Sequence, residues 1–180
     1  GVKAGFVRAD AVLAVVLVSD EDDCSVADPE LFNPLSEVYP WDADPRGNQR
    51  CILFPDALTP VERFVEGMRL AKSDPNDLLV AAITGVPPDL VRDPTDIDYD
   101  ALLADERMQI RPNPRRPGFL LPACDRVGVG FAVPAIRTVE AVRAFGPSGV
   151  VQSICDENFA NALTGITTRL GELIRRRRCR

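Results

Sequence analysis

The sequence predicts an α/β fold: a doubly wound, mostly parallel sheet between two helical layers, interrupted by long loop insertions. Three apolar runs, near residues 11–18, 78–83 and 150–155, alternate with three segments of helical periodicity. This alternation is typical of a sheet that carries helices on both faces. Right-handed crossovers would make the three strands parallel and place their carboxyl ends at one edge.

The three apolar runs have the composition of strands that are covered on both faces. Residues 11–18 are apolar at every position and lead into the acidic turn, residues 19–23. The runs at 78–83 and 150–155 are also mainly apolar. Continuous apolar runs are typical of strands in parallel sheets, so we expect all three strands to be buried on both sides.

Capping signals and apolar stripes predict the helices. Residues 59–62 form a capping box with a proline at the first helical position. A second helix is predicted over 134–145, with Gly146 at its carboxyl end. Asp156 is predicted to cap the last helix, whose apolar stripe faces the core. This stripe consists of Phe159, Leu163, Ile166, Leu170 and Ile174.

We assign residues 1–174 to one α/β domain and residues 175–180 to a basic tail. Two proline-rich stretches, 24–58 and 85–133, break the regular pattern, and we expect both to be loop insertions. Loops of this length commonly carry binding surfaces, because a rigid scaffold can present them to a partner.

The composition excludes several classes of function. The chain has no histidine, which excludes Ser-His-Asp and Cys-His catalytic systems and histidine-ligated metal sites. Twenty-one basic and 27 acidic residues give a net charge of −6, and without the five arginines of the tail it falls to −11. An acidic body repels phosphates, so we expect no nucleic-acid partner. No apolar run approaches the roughly 20 residues of a membrane span, so we expect none.

The five cysteines predict two disulfide bonds. No Cys-x-x-Cys motif occurs, which leaves a zinc ribbon unsupported. We predict the pairs Cys24–Cys51 and Cys124–Cys155, because these cysteines lie in loops or at strand ends. Disulfides persist in oxidising compartments, so the predicted location is exported: periplasmic, on an outer-membrane lipoprotein, or extracellular. The alternative is five free thiols in a cytosolic protein. The fifth cysteine, Cys179, is left as a free thiol or pairs with a cysteine of another chain or of another segment of the protein.

The acidic turn, residues 19–23, is the candidate functional site. It follows a predicted strand at the edge where ligands bind in open parallel sheets. Asp20 and Asp22 supply carboxylate oxygens, which Mg²⁺ and Ca²⁺ prefer as ligands. The alternative is that these acidic side chains only solvate a loop.

Residues 13–25, LAVVLVSDEDDCS, resemble the strand and acidic turn of von Willebrand factor type A domains, in the variant of exported proteins and lipoproteins of myxobacteria and related bacteria. Residues 74–85, 134–137 and 153–156 are similar to later blocks of that group and follow in the expected order. The resemblance covers most of the chain.

The resemblance implies a doubly wound sheet of about six strands, of which this chain would be the C-terminal half. It also implies a divalent ion held by an Asp-x-Ser-x-Ser motif, a threonine and an aspartate at the position of Asp20. The chain contains no Asp-x-Ser-x-Ser motif. The implied site is therefore incomplete here, with Asp22 or Asp23 as a supplementary ligand.

Three functions are compatible with these residues. The leading hypothesis is a non-catalytic, adhesion-type protein-binding module of an exported or surface protein, with Mg²⁺ or Ca²⁺ at the acidic turn bridging to the partner. The second is a metal-dependent hydrolase or phosphoryl-transfer enzyme that uses Asp20 and Asp22. The third is a purely structural domain that docks neighbouring domains of a larger surface protein.

Overall fold

A computed structural model describes residues 5–44 and 47–178, which include five strands and five α-helices. The strands are β1 (Leu13–Val18), β2 (Leu78–Thr84), β3 (Cys124–Arg126), β4 (Gly130–Ala132) and β5 (Gly149–Ser153). The α-helices are α1 (Arg50–Leu53), α2 (Val61–Arg69), α3 (Tyr99–Ala104), α4 (Ile136–Arg143) and α5 (Phe159–Arg178). Short 3₁₀ helices cover Pro29–Phe32, Trp41–Ala43, Pro55–Ala57, Pro75–Asp77, Pro88–Leu90, Glu106–Met108 and Gly146–Ser148.

The three predicted strands form one parallel sheet in the order β1-β2-β5. Leu13 of β1 lies opposite Leu78 of β2, and Val80 of β2 lies opposite Gly149 of β5. The mixed α/β class and the parallel sheet are therefore confirmed. The strands β3 and β4 form a separate antiparallel hairpin.

Helices cover both faces of the central strand, β2, which is buried at every position. One core cluster joins alternate β2 residues to α3 and α4: Leu78, Val80, Ala82, Leu102, Val139 and Val142. The other joins the intervening β2 residues and β5 to α5: Leu79, Ala81, Ile83, Val150, Ala162, Ile166 and Leu173. For β2 and β5 the prediction of burial on both sides is correct.

The same prediction is wrong for β1. This strand lies at the edge of the sheet and pairs only with β2 among the described residues. Val16, Leu17 and Val18 are 43%, 40% and 62% exposed. The physical reason is that α5 lies over β2 and β5, so nothing in the described chain covers this end of β1. An apolar run predicts a strand that favours burial, but it does not predict which elements bury it.

A backbone segment, residues 132–135, crosses the carboxyl ends of β1 and β2 and leads into α4. The N–H of Val133 donates to the carbonyl of Asp20 at 3.0 Å, and the N–H of Ala135 donates to that of Gly85 at 3.1 Å. A side chain at Gly85 would overlap the Val133 carbonyl, so the approach depends on glycine. This crossing fixes the start of α4 against the edge of the sheet.

Two helices begin later than predicted. The helix α4 begins at Ile136 rather than at residue 134. The helix α5 begins three residues after Asp156, and the Asn158 side chain accepts a hydrogen bond from the N–H of Ala160 at 2.9 Å. Asn158 therefore supplies the side-chain bond that was assigned to Asp156.

The predicted basic tail, residues 175–180, is mostly the last turn of α5. Arg177 forms an ion pair with Asp77 and donates a hydrogen bond to the carbonyl of Ala9 at 3.0 Å. It thus joins the end of α5 to the segment before β1. Cys179 and Arg180 lie outside the described residues.

The chain divides into two compact units. The first contains the parallel sheet and consists of the described residues of 1–22, 61–109 and 122–180. The second consists of the described residues of 23–60 together with 110–121. The predicted insertion at 85–133 is therefore divided between the units, and it contributes α3, β3 and β4 to the first.

Arg50 organises the second unit. Its side chain is fully buried, and its guanidinium donates to the carbonyl oxygens of Leu31 at 2.6 Å and Tyr39 at 2.7 Å. The guanidinium also lies over the rings of Trp41 and Phe54, 4.4 and 5.3 Å from their centroids. One arginine thus connects the separate short segments of a proline-rich stretch.

Candidate functional site

The acidic turn, residues 19–23, leaves β1 at the carboxyl edge of the sheet. The N–H of Ser19 donates to the carbonyl of Ile83 at 3.1 Å, and its hydroxyl oxygen accepts the N–H of Glu21 at 3.1 Å. Asp20 is exposed. Burial and, next, the negative charge of Asp20 raise the pKa of Glu21. The turn therefore concentrates negative charge at this edge.

The Asp22 side chain binds the start of α4. Its carboxylate accepts hydrogen bonds from the N–H groups of Arg137 at 3.0 Å and Thr138 at 3.1 Å, and from the Thr138 hydroxyl at 3.1 Å. Ala135 occupies the N-cap position and provides no side-chain bond. Asp22, 115 residues before Arg137, therefore acts as the cap of this helix.

Asp20 and Asp22 alone supply only part of the oxygen ligands that a divalent ion requires. Both carboxylate oxygens of Asp22 already accept hydrogen bonds from α4, one from Arg137 and the other from Thr138. Ca²⁺ takes about six to eight oxygen ligands and Mg²⁺ about six. Among the described residues, no group of three or more Cys, Asp or Glu side chains is placed to hold a metal. Asp20 and Asp22 therefore lie in the same turn, but the Asp20 side chain is exposed and the Asp22 side chain caps α4.

We expect Asp22→Ala to lower the free energy of unfolding by about 2 kcal/mol, because a charged acceptor of helix N–H groups is lost. Asp22→Asn keeps one acceptor and is expected to lose less. Asp20→Ala is the matched control, and as an exposed change it should cost less than about 0.5 kcal/mol. Urea unfolding of the three variants measures these differences. Equal losses for the two alanine variants would contradict the capping role.

Calorimetric titration of Mg²⁺ and Ca²⁺ into the oxidised chain tests the metal hypothesis directly. We expect no saturable heat, because Asp20 and Asp22 supply too few oxygen ligands and both Asp22 oxygens already accept hydrogen bonds from α4. Saturable binding that disappears in Asp20→Ala would instead support a metal-bridged site.

The structure places four cysteines in the two predicted pairs at disulfide distance. The Cα atoms of Cys24 and Cys51 are 5.6 Å apart, and those of Cys124 and Cys155 are 6.0 Å apart. Both separations fit a disulfide bond. The first pair lies within the second unit. The other pair joins the start of β3 to the residues that follow β5.

An exposed apolar surface beside β1 is the feature that sequence reasoning missed. We call it the β1–α5 surface, and it is formed by six exposed side chains. They are Ala14, Val16 and Val18 of β1 and Phe159, Leu163 and Ile174 of α5. The three β1 residues lie opposite Leu79, Ala81 and Ile83 of β2, whose side chains pack against α5. Both halves of the surface are therefore on the same face of the sheet.

The apolar surface of α5 is wider than the part of the helix that packs in the core. Phe159, Leu163 and Ile174, which were predicted to face the core, are 45%, 53% and 38% exposed. Of the predicted stripe, Ile166 enters the core and Leu170 packs against it, together with Ala162 and Leu173. The prediction is wrong for the exposed three because an isolated helix pattern cannot separate a core stripe from a neighbouring apolar flank.

The exposed flank of α5 faces the β1 side of the sheet. It continues along the helix to Arg177, which donates to the carbonyl of Ala9, just before β1. The opposite flank carries Gly165, which lies against Pro94. The exposed β1 and α5 residues therefore lie on the same face of the sheet, with the apolar flank of α5 on the β1 side.

A cavity of about 940 Å³ opens at the carboxyl end of β5. Its lining includes Arg92, Arg126, Gln152 and Asp156, and Arg126 donates to the carbonyl of Asp156 at 3.3 Å. The lining contains both basic and acidic side chains, so the cavity does not favour one sign of ligand charge. Neither Asp20 nor Asp22 lines it, so it does not support the catalytic residues predicted for an enzyme.

No protein-family model matches this chain, and neither a curated protein nor a solved structure matches it. The resemblance to von Willebrand factor type A domains therefore stays a prediction. Within residues 5–44 and 47–178, no helix combines the length and apolar character that crossing a membrane requires.

Proposed function

We propose that the chain is a non-catalytic protein-binding module of an exported protein and that it binds its partner through the β1–α5 surface. The observation that carries the proposal is the exposure of six apolar side chains on one strand edge and one helix flank. Contiguous apolar surface of this kind is typical of protein interfaces.

The edge of β1 lacks the features that normally prevent strand pairing. Natural edge strands carry lysine, proline, inward charges or a bulge, because an open edge otherwise pairs with other chains. The β1 sequence is LAVVLV, with no charge and no proline, and its pairing with β2 is regular from Leu13 to Val18. Such an edge favours the addition of a strand from a partner.

Further features support the wider assignment. The two cysteine pairs support an exported location, because disulfides persist in oxidising compartments. Helices on both faces of β2 support a doubly wound sheet, as in von Willebrand factor type A domains. In this proposal the partner contacts apolar side chains and the strand edge, and the binding needs no divalent ion at Asp20.

Polar substitutions within the β1–α5 surface test the proposal. We expect Val16→Thr combined with Leu163→Gln to change the free energy of unfolding by less than about 0.5 kcal/mol, because both residues are exposed in the free chain. Binding of the dye ANS should fall, since ANS reports exposed apolar surface. Val80→Thr, which places a hydroxyl in the core, is the matched control and should cost about 1 to 3 kcal/mol.

Two results would contradict the proposal. A loss comparable to that of Val80→Thr would show that Val16 and Leu163 stabilise the free chain itself. Turnover of a generic phosphate ester with Mg²⁺, abolished by Asp20→Ala, would favour the hydrolase alternative.

A further inference from the structure

We infer that the cavity at the carboxyl end of β5 binds a small zwitterion, a molecule that carries one ammonium and one carboxylate, as a free amino acid or a short peptide does. The residues that line the cavity all belong to the first unit. The lining shares no side chain with the β1–α5 surface. The inference therefore does not depend on the proposed protein-binding function.

Three segments form the walls of the cavity, and contacts join two of them in the free chain. The first segment follows β2 and carries Arg92, the second is the β3 side of the hairpin with Arg126, and the third leads from β5 into α5. The Cys124–Cys155 pair joins the second segment to the third. Arg126 also donates to the carbonyl of Asp156 at 3.3 Å. Walls that are already held together lose less conformational entropy when a ligand binds.

Gln152 provides a buried hydrogen-bond acceptor in this cavity. It lines the cavity and is only 4% exposed. Its Nε2 donates to the carbonyl oxygens of Val91 at 2.9 Å and Val151 at 2.8 Å. These two bonds use both amide hydrogens, so the remaining capacity of the side chain is its acceptor, Oε1. Oε1 accepts no hydrogen bond from the described chain. The ammonium of a zwitterion is a donor that would satisfy it.

Charges of both signs surround the cavity without pairing with one another. Arg92 and Arg126 are basic, and Asp125, Asp156 and Glu157 are acidic. No ion pair joins these five side chains in the described part of the chain. A simple anion would meet three carboxylates there, and a simple cation would meet two guanidinium groups. A ligand that carries both charges complements both groups of side chains.

The size and composition of the cavity favour an amino acid or a short peptide over a nucleotide. The volume of about 940 Å³ lies within the range of small-molecule sites, about 300 to 1,000 Å³. Among the described residues, no aromatic ring lines the cavity to stack on a base. The acidic side chains of the lining would also repel a phosphate.

Calorimetric titration of the oxidised chain with each of the common amino acids, one at a time, and with trialanine tests the inference. We expect at least one of these zwitterions to bind saturably. Its N-acetyl and amide derivatives each lack one charge and should bind at least about tenfold more weakly. Tighter binding of trialanine than of any free amino acid would identify a peptide ligand, and the reverse order would identify a free amino acid.

Removing the basic side chains of the cavity tests where the ligand binds. We expect Arg92→Gln combined with Arg126→Gln to weaken binding at least about tenfold, because the carboxylate of the ligand loses its partners. Arg143→Gln is the matched control. Arg143 is an exposed arginine of the first unit that does not line this cavity, so the affinity should not change.

Removing the acidic side chains tests the other charge of the ligand. Asp125→Asn combined with Asp156→Asn and Glu157→Gln should weaken the same ligand at least about tenfold. Asp100→Asn changes an exposed carboxylate outside the cavity and is the matched control. Urea unfolding checks that each variant folds, and single substitutions replace any combination that does not.

Three results would overturn the inference. They are the absence of saturable binding by every zwitterion titrated, equal binding of a derivative that lacks one charge, and binding that neither set of cavity substitutions weakens. None of these results bears on the β1–α5 surface, since Val16→Thr combined with Leu163→Gln is expected to leave the affinity for the zwitterion unchanged.

Discussion

Replacing Arg50 with alanine is expected to lower the free energy of unfolding of the second unit by about 3 kcal/mol. The change leaves the carbonyl oxygens of Leu31 and Tyr39 without their donor. Each buried polar group that loses its partner costs about 1 to 3 kcal/mol. The contacts of the guanidinium with the rings of Trp41 and Phe54 are lost as well.

The tryptophan fluorescence of the chain measures this effect, because Trp41 is its only tryptophan and lies in the second unit. Arg50→Lys keeps the charge but not the planar fork of donors, so we expect it to recover little of the loss. Arg69→Ala is the matched control, since Arg69 is an exposed arginine that lies over Phe145 in the first unit. An unchanged fluorescence transition for Arg50→Ala would contradict the role of Arg50.

Replacing Cys124 and Cys155 together with serine is expected to lower the free energy of unfolding of the first unit by about 3 to 4 kcal/mol. The two residues are 31 positions apart, and in the chain-entropy model a cross-link over such a loop restricts the unfolded chain by about this amount. Cys24→Ser with Cys51→Ser is the matched comparison, because that pair spans 27 positions and lies in the second unit. It should shift the Trp41 transition, while the Cys124 pair should mainly shift the helical signal of the first unit.

A thiol count on the same protein checks the premise of this prediction. Before reduction we expect at most one reactive thiol, that of Cys179, and after reduction and unfolding all five. Serine variants that unfold at the same urea concentration as the parent would contradict a stabilising cross-link. Five reactive thiols before reduction would contradict both the pairing and the exported location.

The parallel sheet could be predicted because its signals are local. The run at residues 78–83 is apolar at each position, and β2 occupies Leu78–Thr84, buried throughout. The environment of β1 could not be predicted in the same way. Its run of apolar residues is as continuous as that of β2, but burial depends on neighbouring elements, and α5 packs over β2 and β5 instead.

The role of Asp22 could not be predicted because its partners lie 115 residues away. The acidic turn suggested metal ligands, whereas the structure uses one of its carboxylates to cap α4. One signal was available: Ala135 precedes α4 and cannot form a side-chain cap. A helix without a local cap predicts that a distant side chain binds its first N–H groups.

The second unit was predicted as loops because its proline spacing breaks every regular pattern. Its order comes from short helical turns, the Cys24–Cys51 pair and the contacts of one buried arginine. A buried arginine has no sequence signature of its own, since most arginines are exposed. Arg50 differs from an exposed arginine only in its carbonyl partners. These lie 11 and 19 residues away in the sequence, so no local pattern reveals them.

Amide hydrogen exchange of β1 in the isolated, oxidised chain tests most directly whether its edge is available to a partner. We expect the amides directed away from β2 to exchange at least about 100-fold faster than those of β2, because no described strand pairs with them. Val16→Thr should leave this difference in place. Protection of all β1 amides to the level of β2, at a concentration where the chain is monomeric, would show that the edge is already covered and would contradict the account.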